Sequence, residues 1–180
     1  EGGTPPFVLI DDPERIRGLA RRPGLAAAVE TVDDPEQAIA VFADALPVLP
    51  LSLPERIVPG RPDPKAAPAV IEAVDRAVAL TRAGRTAAVV TNPIHKTTLY
   101  GAGFGYPGHT EYLAEAFKVR RSTMMFVGGG LRIALASAHV GLFELRNSFT
   151  IGRVFQPIDH LDEALRRWYG RWERWQVKST

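Results

Sequence analysis

Residues 64–91 read PKAAPAVIEAVDRAVALTRAGRTAAVVT, and this stretch decides the fold class. Its first part predicts a helix over 64–82, because apolar residues recur there with helical spacing: Val70, Val74, Ala77 and Val78. Gly84 follows as the expected C-cap of this helix. Residues 87–91, AAVVT, then predict a short buried strand. The same helix and strand alternation recurs from the N-terminus, which is typical of an α/β protein with a mainly parallel sheet.

Toward the N-terminus the same signals repeat. Residues 7–10, FVLI, predict a buried strand, and residues 26–32 predict another. Each is followed by an Asp-Asp-Pro-Glu helix start, at Asp12-Pro13 and at Asp34-Pro35. Residues 46–64 are rich in proline and predict extended, irregular or edge structure whose apolar side chains are packed: Val48, Leu49, Leu51 and Leu53.

The second half of the chain predicts a hairpin and a long helix. Residues 123–127 and 131–138 are strand candidates, and the three glycines between them favour a hairpin at a sheet edge. From Phe149 to Trp168 the apolar residues have helical spacing, and Pro157 is expected to kink or split that helix.

Composition indicates one globular domain of 180 residues, or a large piece of a bigger one. Cysteine is absent, which excludes disulfides and thiolate metal sites and leaves histidine as the expected metal ligand. No apolar run approaches the ~20 residues that cross a bilayer, and residues 1–6 do not resemble a signal peptide. We therefore expect a cytoplasmic protein with no membrane partner.

The basic character is confined to one end of the chain. The sequence pI is about 9.2, but residues 166–180 hold five basic residues and one acid, together with all three tryptophans. A nucleic-acid-binding protein is therefore the least favoured of our hypotheses. Leu161, Leu165 and the tryptophans have helical spacing and could extend one helix face, although Gly170 interrupts it.

A polar segment, TNPIHKTTLYGAGFGYPGHTE over 91–111, follows the strand predicted at 87–91. Ligands collect at the carboxyl ends of strands in open α/β sheets, although many polar loops bind nothing. Thr110 or His109 would begin a helix over 111–117, where free N–H groups favour an anion. Lys96 is a nearby cation, and His109 is able to donate a hydrogen bond or exchange a proton.

A second candidate is His139, which ends the predicted strand over 131–138. A lone histidine at a strand end is more often structural than a ligand. Any metal there needs further ligands from elsewhere in the chain or from a second subunit. We interpret His95 and His160 as solvated, or as residues lying behind the site.

The motifs TNPIHK (91–96), AGF (102–104), PGHTEYLA (107–114) and LRIALASAH (131–139) together resemble the signature of one enzyme family. That family is the 4-hydroxythreonine-4-phosphate dehydrogenases of pyridoxal phosphate biosynthesis. The resemblance covers most of residues 7–168.

The resemblance implies an α/β/α sandwich similar to isocitrate and isopropylmalate dehydrogenases, and a homodimer with its active site between subunits. The enzyme would oxidise 4-phosphooxy-threonine with NAD or NADP, and the product would lose carbon dioxide to give 3-amino-2-oxopropyl phosphate. A divalent metal (zinc, magnesium or cobalt) would polarise the reacting hydroxyl. His109 and Thr110 would contact substrate and His139 would bind the metal. Lys96 matches a motif lysine without an assigned role, and no catalytic or cofactor-binding residue is assigned.

Departures from the family pattern predict an incomplete member. A Gly-Asp-Pro-Ala-Gly-Ile-Gly-Pro-Glu segment near the start is missing, as are later segments that hold two more metal histidines. We expect residues 1–169 to be a partial dehydrogenase domain, truncated at both ends, and 170–180 a basic tail foreign to the family. The chain would be inactive or weakly active alone. The alternatives are a paralogue acting on 4-phospho-erythronate or 4-phospho-threonate, and a non-catalytic remnant that binds a phosphorylated ligand.

Overall fold

The computed structural model describes residues 3–25, 27–53, 57–58 and 60–169. The chain divides into two compact units, Glu1–Val119 and Arg120–Thr180. The first holds a parallel sheet with helices, which confirms the predicted α/β class. Within the described ranges, no helix is both long enough and apolar enough to span a membrane.

The first unit begins with a strand and helix pair that the sequence predicts. Strand β1 is Leu9–Asp11 and helix α1 is Pro13–Ala20. The Asp12 side chain accepts the Arg15 N–H at 2.8 Å, so it caps a free helix donor as expected. Strand β2, Val29–Thr31, lies within the predicted 26–32, of which residue 26 lies outside the described residues.

The second predicted helix start is also confirmed. A 3₁₀ turn at Pro35–Gln37 leads into the short helix α2, Ala38–Val41. The Asp34 carboxylate accepts the Glu36 N–H and pairs with the Arg85 guanidinium, and these two contacts lower the pKa of Asp34. The capping aspartate therefore also connects this turn to Arg85, which lies far along the chain.

Strand β3, Leu46–Pro50, is the middle strand of the sheet, with β1 and β2 parallel on either side. The predicted extended structure with packed apolar side chains is confirmed for these residues, whereas the irregular or edge alternatives are wrong because the strand is central. The Leu46 N–H donates on the β2 side and the Leu51 N–H on the β1 side. Backbone nitrogens alternate in direction along a strand, so the Pro47 nitrogen, which carries no hydrogen, points toward β1 and the Pro50 nitrogen toward β2. Pro47 precedes the first β1 pair, Leu9↔Val48, and Pro50 follows the last β2 pair, Thr31↔Val48, so no ladder bond is lost.

Helix α3, Ala67–Arg82, follows a 3₁₀ turn at Pro64–Ala66 and matches the prediction. It ends in a Schellman motif: the Gly84 N–H bonds to the Thr81 carbonyl and the Arg85 N–H to the Leu80 carbonyl, both at 3.0 Å. Gly84 has φ +72°, the left-handed conformation that glycine adopts without steric cost.

The strand predicted over 87–91 is wrong. These residues pair with no strand in the described sheets, and the Val90 side chain is 95% exposed. An apolar run becomes a strand only where a neighbour offers a ladder, which a local pattern does not reveal.

The second unit contains the predicted hairpin. Strands β4, Met125–Gly128, and β5, Leu131–Ala134, are antiparallel, and the linking Gly129 and Gly130 both have positive φ, as a type I′ turn requires. Within the described residues they pair only with each other rather than with a larger sheet.

Two helices complete this unit: α6, Leu142–Ser148, and α7, Ile151–Tyr169. Pro157 lies inside α7 and does not split it, contrary to one of the two predicted outcomes. The expected basic tail, 170–180, lies outside the described residues.

The hydrophobic core of the sheet depends on β3, and the stability that this burial provides can be tested at Val48. Val48 is fully buried, so Val48→Ala is expected to lower the free energy of unfolding by about 2–3 kcal/mol through lost burial and a cavity. Val90→Ala removes the same atoms from a 95% exposed side chain and should change it by less than about 0.5 kcal/mol. Urea unfolding measures both, and equal effects would contradict the assignment of β3 to the core.

Candidate functional site

The polar segment 91–111 contains a helix that the sequence did not predict. Helix α4, Lys96–Gly101, begins at His95, whose Nδ1 accepts the Thr98 N–H at 3.4 Å and lies 2.6 Å from the Thr98 hydroxyl. His95 therefore acts as a helix cap. His95 is exposed, in agreement with the solvated position expected for it, and it has this capping contact in addition.

A small hydrophobic core holds this segment in place. Leu99 of α4, Phe104 after it and Tyr112 pack against Ala67 of α3, and each is at least nine-tenths buried. The residues that connect the predicted site to the rest of the unit are therefore apolar.

Helix α5, His109–Ala116, confirms the predicted helix and begins at the predicted site residues. Its N-cap is Gly108, which has no side chain to accept the first N–H groups. His109 Nε2 is buried and has no hydrogen-bond partner among the described residues. Thr110, the other predicted substrate residue, is half-buried. This helix start therefore offers unpaired hydrogen-bonding groups to an anion.

Lys96 and Glu111 flank Gly108. A Cβ built on Gly108 would lie 3.8 Å from Lys96 Nζ and 3.6 Å from Glu111 Oε2. The fold thus brings the motif lysine to the first turn of α5, although twelve residues separate it from Gly108. Its charge opposes that of Glu111 and complements an incoming anion.

Polar contacts of two tyrosine hydroxyls also hold helix α5 in position. The Tyr112 hydroxyl donates to the Asp75 carboxylate on α3, and burial together with this bond raises the pKa of Tyr112 well above its ordinary value. A hydrogen bond to the Glu115 carboxylate raises the pKa of Tyr106 as well. Both hydroxyls therefore stay protonated at neutral pH and remain donors.

His139 lies in the second unit, on the loop between β5 and α6. It is exposed and has φ +57°, a left-handed conformation that is uncommon outside glycine and often found at functional positions. Among the described residues no group of three or more His, Cys, Asp or Glu side chains could hold a metal ion. His160 is half-buried, and its Nδ1 lies 2.7 Å from the Thr123 hydroxyl, so it has a structural partner instead of the solvated role expected.

The chain matches the family model described as "Pyridoxal phosphate biosynthetic protein PdxA" over residues 4–176. It belongs to this family. The match spans α4, α5 and the His139 loop, so the motif resemblance is confirmed.

Curated relatives carry the corresponding enzyme name. The chain is 50% identical over 149 residues to the 4-hydroxythreonine-4-phosphate dehydrogenase of Methylorubrum populi, an alignment that covers 79% of this chain and 42% of that protein. It is 36% identical to the enzyme of the same name from Caulobacter vibrioides, over 92% of this chain and 50% of that one. The chain thus spans about half the length of the curated relatives it matches.

Solved structures agree on the fold. The 4-hydroxythreonine-4-phosphate dehydrogenase of Klebsiella pneumoniae matches with a TM-score of 0.73 and 28% identity, covering 92% of this chain and 52% of that one. The Burkholderia phymatum enzyme matches with a TM-score of 0.76 and 27% identity, covering 88% and 48%. The architecture of this PdxA family member is therefore that of the dehydrogenases.

Sequence reasoning found His109, Thr110 and Lys96 but missed the residues that support them. Asp75 reads as one of many polar residues on α3, and Tyr112 as an apolar position of α5. No local signal distinguishes Asp75 from the other charged residues of α3, which are Glu72, Arg76 and Arg82. The partner of Asp75 could not be predicted, because the contact joins positions far apart in the sequence.

The raised pKa of Tyr112 predicts a pH-dependent contribution to stability. Tyr112→Phe should lower the free energy of unfolding at pH 7 by about 1 kcal/mol, the usual net value of a hydrogen bond. Above the ordinary tyrosine pKa of 10.0, the unfolded chain loses this proton while the folded protein keeps it. Wild-type stability therefore falls, and its advantage over the variant shrinks.

Urea unfolding between pH 7 and 11 measures this difference. Tyr100→Phe, at a ring that is 48% exposed on α4, is the control and should have little effect at pH 7. An advantage of wild type over Tyr112→Phe that is constant across this range would contradict the assignment.

Proposed function

We propose that this chain forms part of the substrate site of a 4-hydroxythreonine-4-phosphate dehydrogenase. The substrate would be 4-phosphooxy-threonine, its secondary hydroxyl would be oxidised with NAD or NADP as hydride acceptor, and the product would then lose carbon dioxide. The PdxA relatives share the name 4-hydroxythreonine-4-phosphate dehydrogenase, which supports the substrate and the reaction class.

One observation carries the proposal. In a chain of this family, His109 Nε2 is buried at the start of α5 with no partner in the part of the chain that the structure describes, and Gly108 leaves the first N–H groups without a side-chain cap. Buried polar atoms are nearly always paired, so an unpaired one at a helix start favours a ligand as the missing partner.

In this proposal, different residues of the chain bind different groups of the substrate. His109 hydrogen-bonds the substrate through Nε2, and Thr110 offers a hydroxyl beside it. The free amides of α5 and the Lys96 ammonium attract the phosphate or carboxylate charge. The Glu111 carboxylate lies equally close to Gly108 and opposes an anion there, and the Lys96 ammonium offsets that repulsion.

The described residues do not by themselves fit a complete metal site, because His139 has no companion ligands among them. We therefore derive no step through a metal. His139 would serve as one ligand of a divalent ion (zinc, magnesium or cobalt) whose other ligands come from outside this stretch. Its exposed, left-handed position on a loop between two elements supports that role.

The remaining proposals concern the cofactor and the cell. The dehydrogenase name of the relatives favours a nicotinamide cofactor, and no residue of this chain is assigned to it. We also propose the cytoplasm as the location, in keeping with the family's role in pyridoxal phosphate biosynthesis.

We further propose that the protein is a homodimer. Large apolar side chains of the second unit are exposed, which supports an interface with another copy. The most exposed ones on the hairpin and on α6 are Phe126 (58%), Val127 (61%), Leu131 (65%), Leu142 (79%) and Phe143 (92%).

Ligand titration tests the substrate proposal. By isothermal calorimetry, 4-phosphooxy-threonine should bind the wild-type chain, and His109→Gln and Thr110→Val should each weaken binding roughly tenfold to hundredfold, since each loses a bond to a charged group. His160→Gln, which alters a histidine bonded to Thr123, is the control and should bind normally.

The competing ligands 4-phospho-threonate and 4-phospho-erythronate are titrated in parallel. Tighter binding of either one would favour the paralogue. NAD reduction with bound ligand would exclude the non-catalytic alternative, and absence of binding by all three ligands would contradict the proposed site.

Self-association tests the homodimer proposal. Phe126→Lys places a charge on an exposed hairpin position opposite Ile133 and should shift a dimer toward monomer in sedimentation velocity. Glu163→Lys, at an exposed charged position on α7, is the control and should leave the sedimentation coefficient unchanged. A monomeric wild-type chain would contradict the proposal.

A further inference from the structure

Three aromatic residues flank, in the sequence, the run 107–110 that contains the proposed substrate residues His109 and Thr110. The rings of Phe104, Tyr106 and Tyr112 pack against one another with centroid distances of 5.0–5.3 Å. Phe104 and Tyr106 precede the run 107–110, and Tyr112 follows it. Both ends of the run that contains His109 and Thr110 are therefore attached to a single aromatic cluster.

Tyr112 connects this cluster to α3. It lies three residues after His109, in the first turn of α5, and its N–H bonds back to the Gly108 carbonyl at 3.3 Å. Its side chain is 8% exposed, and its hydroxyl donates to Asp75 Oδ1. Rotation of the first turn of α5 would move Tyr112 and break this bond.

Ring packing and hydrogen bonding constrain α5 in different ways. Burial of an aromatic ring is favourable but has little directional preference, so a helix end can rotate slightly without losing much contact area. A hydrogen bond weakens steeply when its angle or length changes. The bond to Asp75 is therefore the more directional of these two constraints on the first turn.

We propose that Asp75 is a positioning residue for the substrate site, which orients His109 and Thr110 through its hydrogen bond to Tyr112. This inference rests on the proposed function, since it assigns Asp75 a role in binding the same substrate. The carboxylate lies on α3 and acts only through Tyr112.

Four variants of the full chain separate orientation from stability. Asp75→Leu and Tyr112→Phe each remove the bond, while Asp75→Asn keeps an oxygen that accepts it. Thr81→Val is the control, because it removes a different hydrogen-bonding hydroxyl of the same helix, bonded to the Ala77 carbonyl at 2.9 Å.

Two measurements are made on each variant. The first is the NMR signals of the His109 ring and the Thr110 amide in the ligand-free protein. The second is the affinity for 4-phosphooxy-threonine by calorimetry. Asp75→Leu and Tyr112→Phe should shift both signals and weaken binding between roughly tenfold and hundredfold, because misplaced binding groups lose their alignment. Asp75→Asn and Thr81→Val should remain near wild type in both.

The outcomes distinguish the two proposals. If the wild-type chain does not bind the ligand, the proposed function fails, and the NMR comparison alone then decides the positioning role. Folded Asp75→Leu or Tyr112→Phe protein with unchanged His109 and Thr110 signals would overturn it. An equal loss in Thr81→Val would also overturn it, because the effect would then follow stability. If Asp75→Leu does not fold, the milder Tyr112→Phe and Asp75→Asn pair decides.

Discussion

The packing of Leu99, Phe104 and Tyr112 onto α3 is the constraint on which the candidate site depends. Neither α4 nor α5 is long enough to be stable alone, since isolated helices of this length are marginal in water. Burial of each large side chain contributes about 1.5–3 kcal/mol, which holds both helices against α3. The polar groups of the site, Lys96 and His109, are held in position because these apolar side chains pack against α3.

A division of tasks follows from this arrangement. Apolar contacts bring α4 and α5 to α3, and the Tyr112 to Asp75 bond sets how the first turn of α5 is rotated. Gly108 then leaves that turn without a cap, which costs local stability and opens backbone donors to a ligand. Affinity for an anion and stability of the free helix are therefore opposed at this one position.

The predictability of the fold followed the range of the interactions involved. Asp12, Asp34 and Gly84 mark helix ends through contacts with near neighbours, and the sequence predicted all three. The central position of β3 and the missing strand at 87–91 depend on which strands meet in space, and a local pattern misjudged both. The site shows the same limit: His109 and Thr110 were proposed from the predicted helix start and the motif resemblance, while the contact of Asp75 was hidden because its partner lies on another helix.

The strand pairings also imply an order of assembly. The hairpin of β4 and β5 closes over two glycines, a local event that takes about 1–10 μs in isolated hairpins. The sheet of the first unit has no such short connection, since Leu9 must find Val48 across α1, β2 and α2. Closing that long loop costs chain entropy before any ladder bond forms, which slows folding. We expect the parallel sheet, rather than the hairpin, to limit how fast the chain folds, and its unpaired strands to be the part most exposed to aggregation while it does so.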